Sequence, residues 1–279
     1  MDNAPLAVVT GASRGLGRLV AEALSRAGAR LLLVARDHHA LLEVAGALPD
    51  ARVLAVDVSQ ADAAAIIGAA AEQLGGADIL INNAAIQGPI GPALDVDAAE
   101  FEHTLRVDLL APWALIRTLA PQMIAREAGW IVNVSGGGAT GPRPMFAAYG
   151  VAKTALVRLT ETLAAEIGPK GVRVNAVAPG AFRSRMSEEV LAAPAAAGAQ
   201  EASVAARLVA EDDDAAAKKA AELIAYLVLG DGRNLTGRLI SAVWDPWPRL
   251  HERADELAAS DIYTLRRITP GDRGKDWTR

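Results

Sequence analysis

The stretch LAVVTGASRGLG (residues 6–17) joins a continuous apolar run to three glycines, Gly11, Gly15 and Gly17, and then to a helix-like segment. LAVVT (6–10) reads as a fully buried strand, and the glycines fall where strand gives way to helix. Glycine removes the side chain where an anion must approach the backbone. A helix N-terminus presents N–H donors and the positive end of its dipole. The spacing is G-x-x-x-G-x-G rather than the commoner G-x-G-x-x-G, but the same physics makes the turn a pyrophosphate cradle. Gly11, Ser13, Arg14, Gly15, Leu16 and Gly17 are the residues expected around it.

Working outward, further strand-like runs follow: RLLLVA (30–35), RVLAVDV (52–58), DILINNA (78–84), GWIVNVS (129–135), VRVNAVAP (172–179) and RLISAVW (238–244). Helix-like stretches lie between them near 15–28, 38–47, 60–74, 97–127, 148–168 and 215–229. Apolar strands alternating with helices predict a parallel sheet covered on both faces. The expected fold is α/β, a doubly wound, seven-stranded parallel Rossmann-type sheet in a single domain over 1–244, with ligands at the carboxyl ends of the strands. Two segments break the rhythm. Residues 187–214 are Ala-rich, interrupted by Pro194 and Gly198, and end in an acidic run; they are read as a mobile lid insertion. Residues 245–279 are an extension, flanked or occupied by Trp244, Trp247 and Trp277, expected to dock on the domain or on a neighbouring subunit.

Composition narrows the function. Just over half of the 279 residues are hydrophobic, enough for a large core. A net charge of −5 without a basic run gives no footprint for nucleic acid. There is no cysteine, and the four histidines lack ligand spacing, so no metal site is expected. No apolar run reaches the ~20 residues that span a bilayer, and the N-terminus has no basic region or cleavage site. The expected location is cytoplasmic.

The second strand bears on the choice of cofactor. About 20 residues past the glycines, where NAD binders place a carboxylate for the ribose 2′-hydroxyl, this chain has Ala35 followed by Arg36. With Arg14 inside the loop, two guanidiniums suit a 2′-phosphate. NADP(H) is expected ahead of NAD(H).

Tyr149 and Lys153 in MFAAYGVAKT (145–154) stand one helical turn apart. With TGASRGLG, INNAA (81–85), NVS (133–135) and VNAVAPG (174–180), in this order and each near a strand, the chain resembles the short-chain dehydrogenase/reductase family. The resemblance covers residues 5 to about 186 and returns at 220–244. It implies hydride exchange between a nicotinamide cofactor and a small carbonyl or alcohol substrate. Tyr149 would be the general acid or base, and Lys153 would lower its pKa and hold the nicotinamide ribose. Asp57 and Val58 would flank the adenine, and the backbone of Asn83, Ala84 and Ala85 the ribose. Pro179, Gly180 and Phe182 would line the nicotinamide, with Ser184 near its amide or phosphates. A homodimer or homotetramer built through 97–127 and 148–168 is also implied.

The chain departs from the family at three positions. NNAA replaces Asn-Asn-Ala-Gly. Asp108 stands where relatives carry an asparagine that kinks a helix and helps a water chain reach the lysine; its charge beside Lys153 would stabilise the ammonium and restrain proton relay, while the plainer reading is that its backbone carbonyl does the work and the side chain is tolerated. The usual substrate-binding serine falls at Gly136, leaving Ser135 or the N–H groups of the 136–138 glycine turn to replace it. Pro89, Pro92, Met145, Phe146, Phe182 and Met186 are expected to shape an apolar pocket, with Arg143 and Arg185 as surface arginines or anion anchors. A dehydratase or epimerase on the same fold, or a catalytically weak cofactor-sensing or scaffold protein, are the competing readings.

Overall fold

The structure is a computed structural model that describes residues 4–211 and 214–277. Residues 1–3 and 278–279, at the limits of the expected domain and extension, lie outside the described residues, as do Asp212 and Asp213 of the acidic run. Seven strands form one sheet: β1 Leu6–Thr10, β2 Arg30–Ala35, β3 Ala51–Ala55, β4 Ile79–Asn82, β5 Gly129–Val134, β6 Val172–Ala178 and β7 Leu239–Ser241. Their order is β3-β2-β1-β4-β5-β6-β7, with every neighbouring pair parallel. This is the expected doubly wound sheet.

Side chains alternate across a strand, so each run feeds two layers. Along β1, Ala7 and Val9 enter one core, and Leu6 and Val8 the other. The first core is closed by α1 (Gly15–Arg26) and α10 (Ala215–Val228) through Val20, Leu24, Leu223 and Leu227, with α2 (His38–Gly46) beside them. The second is closed by α3 (Ala63–Gln73), α5 (Ala111–Ala125) and α6 (Ala147–Ile167) through Ile67, Leu115, Leu119, Met123 and Ile167. β1 lies between β2 and β4, so the winding reverses there and a crevice opens at the carboxyl ends.

The expected helix 97–127 resolves into α4 (Ala98–Leu105), a π-helical turn (Arg106–Leu110) and α5. The Ala111 N–H reaches back five residues to Arg106 O. Pro112 has no N–H, so the Asp108 carbonyl loses its regular donor four residues on. The widened turn places Asp108 on the inner side of the helix, fully buried.

The segment after β6 folds into α7 (Arg185–Ala192), α8 (Pro194–Ala197) and α9 (Ala199–Ala210). Pro194 opens α8, where a missing N–H does no harm, and Gly198 turns the chain at φ +84°. This helical cap rests on a small apolar cluster of Phe146, Val190, Ala197 and Ala205, flanked by Ile90 and Met145.

The expected strand 238–244 stops at Ser241, because Asp245 Oδ2 accepts the Ser241 N–H at 2.7 Å and the Ser241 hydroxyl accepts the N–H of Val243 and Trp244. Beyond it, a short α11 (Ala254–Ala258) and the following loop lie against the domain. Arg238, buried, donates to the carbonyls of Ser260 (3.0 Å), Ile262 (2.8 Å) and Leu257. The Leu239 N–H donates to Tyr263 O at 2.8 Å, and the Leu265 N–H to Glu161 Oε1 at 2.6 Å. Trp247 packs 5.5 Å from the Tyr226 ring, whereas Trp244 and Trp277 remain exposed. Among the described residues, no helix is long and apolar enough to cross a membrane, and no group of three or more metal-ligating side chains could hold an ion.

Candidate active site

The glycine turn is built for close approach. A Cβ at Gly11 would come within 2.9 Å of Ala84 Cα and of Asn83 Nδ2, and one at Gly17 would overlap the Gly11 carbonyl. Gly15 differs: its φ is +52° and nothing lies within 4 Å of where a Cβ would be, so it faces open space. Arg14 is the extended N-cap of α1, and no side chain caps the helix. The first-turn N–H groups thus meet an uncovered glycine surface, which fits a pyrophosphate. Leu16 sends its side chain into the core, leaving only its backbone to this surface. Ser13 is partly exposed and Arg14 exposed.

The INNAA loop is tied to this turn. Thr10 Oγ1 accepts the N–H groups of Asn83 and Ala84 at 3.0 Å each, and Asn83 Nδ2 donates to Thr10 O at 2.9 Å. The Asn83 side chain is therefore used structurally, and its backbone and Ala85 are what remain for a ligand. At the end of β2, Asp37 does not neutralise Arg36: its Oδ1 caps α2 by accepting the Ala40 N–H at 3.1 Å. Arg36 is exposed, with Nη1 3.9 Å from Asp57 Oδ2. Burial would raise the Asp57 pKa, but the Ser59 N–H and hydroxyl, at 2.9 and 2.8 Å, and Arg36 outweigh it and the net shift is downward. Val58 is half-buried against the second core.

The other half of the site is carried by α6. Tyr149 and Lys153 share its buried face, 7% and 2% exposed. A buried polar chain fixes this helix against the strands: Asn82 Nδ2 donates to Asn133 Oδ1, Asn133 Nδ2 to Thr160 Oγ1, and Thr160 to Leu156 O, each at 2.8 Å. Lys153 Nζ donates to Val134 O, at the carboxyl end of β5, over 3.2 Å, and lies 5.4 Å from the Tyr149 ring centroid.

Asp108 changes the electrostatics of this pair. Its Oδ2 is 3.2 Å from Lys153 Nζ, and its Oδ1 accepts the Ile86 N–H at 2.9 Å. The reading of a merely tolerated side chain is thus corrected: the carboxylate sits in a buried ion pair that the π turn aims inward. Burial acts to lower the Lys153 pKa, but Asp108 and Tyr149 outweigh it, and the ammonium is held above its usual range. The Tyr149 phenol is pushed up, mainly by burial; Lys153 and Arg143 oppose the rise and Asp108 adds to it.

Ser135 follows β5, donates its N–H to Val177 O at 2.8 Å, and is buried. Its hydroxyl has no hydrogen-bond partner among the described residues, and neither does Nε2 of buried Gln87, a residue the sequence did not single out. A Cβ at Gly136 would overlap the Tyr149 hydroxyl and come within 2.9 Å of its Cζ, so the phenol occupies the space of that side chain. Gly136→Ser is accordingly expected to displace the phenol. Overpacking of this kind costs about 1–3 kcal/mol, and a misplaced reacting group lowers kcat by on the order of 10²-fold. Thermal unfolding and steady-state rates of the variant check both figures.

The remaining candidates separate. Phe146 is fully buried beneath the cap and so does not line an apolar pocket as expected, whereas Phe182 is half-buried, with one side packed on the first core. Pro92 is exposed, and Pro89, Met145 and Met186 are half-buried. Pro179 is buried at the end of β6. Gly180, at φ +83°, could carry a Cβ only by pushing Val243 aside. The Ser184 hydroxyl caps α7 by accepting the Ser187 N–H at 3.3 Å, within a capping box. Arg185 pairs with Glu189 on the surface at 2.8 Å, whereas Arg143 is drawn inward by Glu201.

Glycine cradle and tyrosine–lysine pair both lie at the carboxyl ends of the strands, which places the chain in the class of dinucleotide-binding Rossmann enzymes. The model of a family described as short chain dehydrogenase matches residues 5–195, and the chain belongs to that family of oxidoreductases, the dehydrogenases/reductases that bind NAD(P). It is similar to human "Dehydrogenase/reductase SDR family member 4", 34% identical over 188 residues that cover 65% of this chain and 67% of the relative. It is 38% identical over 193 residues to a galactitol 2-dehydrogenase (L-tagatose-forming) of Cereibacter sphaeroides, covering 67% of this chain and 75% of that protein. Among solved structures, NAD+-bound xylitol dehydrogenase superposes with a TM-score of 0.75 at 26% identity, over 85% of this chain and 96% of that one. A metagenomic short-chain oxidoreductase in complex with NADP superposes with a TM-score of 0.61 at 35% identity, over 71% and 94%.

Proposed function

We propose that this chain is an NADP(H)-dependent oxidoreductase interconverting a carbonyl compound and a secondary alcohol, with Tyr149 as general acid and base assisted by Lys153. The observation that carries the reading is the buried Tyr149 hydroxyl against Gly136, with the Lys153 ammonium 5.4 Å from the ring and held charged by Asp108 at 3.2 Å. The nicotinamide, when bound, supplies or accepts the hydride. Tyr149 protonates the carbonyl oxygen in reduction and removes the hydroxyl proton in oxidation. The Lys153 charge favours the phenolate and so eases both transfers. The unpartnered Ser135 hydroxyl is the group proposed to hold the substrate oxygen, with the N–H groups of the 136–138 turn as the alternative donors. Two relatives are named for polyols, whose reacting groups are alcohols, which supports the substrate class.

Preference for NADP(H) is supported by the exposed Arg14 and Arg36, the latter held only by a long 3.9 Å approach to Asp57 among the described residues. Hydrogen bonds to charged groups contribute about 1.5–3 kcal/mol, so Arg36→Ala is expected to weaken NADPH binding on the order of tenfold or more and to leave NADH nearly unaffected. Fluorescence titration with both cofactors decides this; tighter NADH binding by the unaltered chain would overturn the preference. NADPH oxidation over a panel of ketones and aldehydes tests the activity. Tight NADPH binding without turnover on any of them would favour the sensor reading. Exposed Leu110, Trp113 and Val151 lie within the two segments proposed to join subunits in a homodimer or homotetramer.

A further inference from the structure

Arg143 lies on the loop between the glycine turn and α6, and its guanidinium reaches α9 in the cap. Nε donates to Glu201 Oε1 at 3.0 Å and Nη2 to Oε2 at 2.8 Å, a two-point contact spanning 58 residues of sequence. The same guanidinium carbon is 4.0 Å from the Phe146 ring centroid and 5.7 Å from that of Tyr149. The arginine also lies back along the glycine turn: a Cβ at Gly137 would stand in ordinary contact with Arg143 Cδ at 3.6 Å, and one at Gly138 would come within 3.3 Å of Arg143 Cβ. The apolar cluster beneath the cap is small, Phe146 with Val190, Ala197 and Ala205 flanked by Ile90 and Met145, and the two-point contact of Arg143 with Glu201 adds a charge-assisted tie to α9.

We infer that Arg143 is a positioning residue that seats the α7–α9 cap through Glu201 and, with the same guanidinium, holds a positive charge over Tyr149, so that the cap and the charge at the catalytic tyrosine are coupled. The inference rests on the proposed role of Tyr149. Three charged groups face that phenol: Lys153 from its own helix, Asp108 from the π turn, and Arg143 from the loop. Arg143 acts on it in the same direction as Lys153, and against Asp108. The hydrogen bonds from Arg143 keep the Glu201 carboxyl below its usual range, so the latch is ionised throughout the neutral region.

Three variants of the full chain separate the two engagements: Glu201→Gln, Arg143→Leu, and the exchange Arg143→Glu with Glu201→Arg. Hydrogen exchange of the α9 amides reads the latch without any turnover, and the pH dependence of kcat/KM for alcohol oxidation reads the charge. Glu201→Gln is expected to speed α9 exchange on the order of tenfold, the loss of a charge-assisted contact, and to raise KM while kcat holds. Arg143→Leu should speed exchange likewise and also move the rising, acid-side limb of the profile to higher pH, since a positive charge beside the phenol is gone. The exchanged pair should recover α9 protection but not the profile. Unchanged α9 exchange in both single variants would overturn the latch, and an unshifted limb in Arg143→Leu would overturn the coupling. Failure of the Tyr149 reading itself would appear separately, as full activity in Tyr149→Phe.

Discussion

Tyr149→Phe is expected to lower turnover by about 10²–10⁴-fold, the usual contribution of a positioned general acid or base, while NADPH binding changes little. The variant removes one oxygen from a ring that is already fully packed, and it adds no volume against Gly136. The loss therefore reports proton transfer rather than a repacked site. Steady-state kinetics of both directions with a cofactor titration on the same preparation make the comparison. Retention of more than about a tenth of the activity, below the smallest effect of such a group, would assign the proton to another residue.

Lys153→Met should be the most destabilising single change in the site. It leaves the Asp108 carboxylate buried with only the Ile86 N–H for compensation. Removing one member of a buried pair costs about 3–5 kcal/mol, which for a chain of this size lowers Tm on the order of 10 °C. Adding Asp108→Leu to it should recover part of the loss, since the orphaned charge is then absent, and calorimetry of the singles and the double closes the cycle. Asp108→Asn behaves differently. The amide oxygen can still accept from Ile86, but the buried Lys153 ammonium loses its anion and keeps only Val134 O, so stability falls here too. The negative charge that raises the Tyr149 pKa is gone, so the rising, acid-side limb of alcohol oxidation should move to lower pH. A limb that stays in place would mean that Asp108 acts on Lys153 alone.

The parallel sheet was legible because buried parallel strands are apolar throughout: LAVVT and RLLLVA carry their structure in every residue. The glycine turn was legible for the opposite reason, since small residues at fixed spacing mark close approach. What escaped are contacts with no local signature. No spacing rule links Arg143 to Glu201, and no periodicity shows a π turn, because one inserted residue shifts the helical phase without altering which residues are apolar. Phe146 looks like a pocket wall from its position beside a strand end, yet it is absorbed by packing under the cap. Gly136 read as a missing serine. Only the position of the phenol shows it as space already filled. Pro194 and Gly198 hid the cap helices, because the same residues that punctuate loops also start short helices.

The extension after β7 also bears on how the chain behaves at high concentration. An outermost strand presents unpaired backbone groups that can template pairing with another molecule. The two rims of this sheet are guarded in different ways. At β3, no residue is fully buried and Arg52 places a charge on the rim. At β7, only three residues long, the Leu239 N–H is already taken by Tyr263 O, while Arg238 gathers the carbonyls of Leu257, Ser260 and Ile262 around it. The tail thus stands where an added strand would dock, and acts as built-in protection against edge-to-edge aggregation.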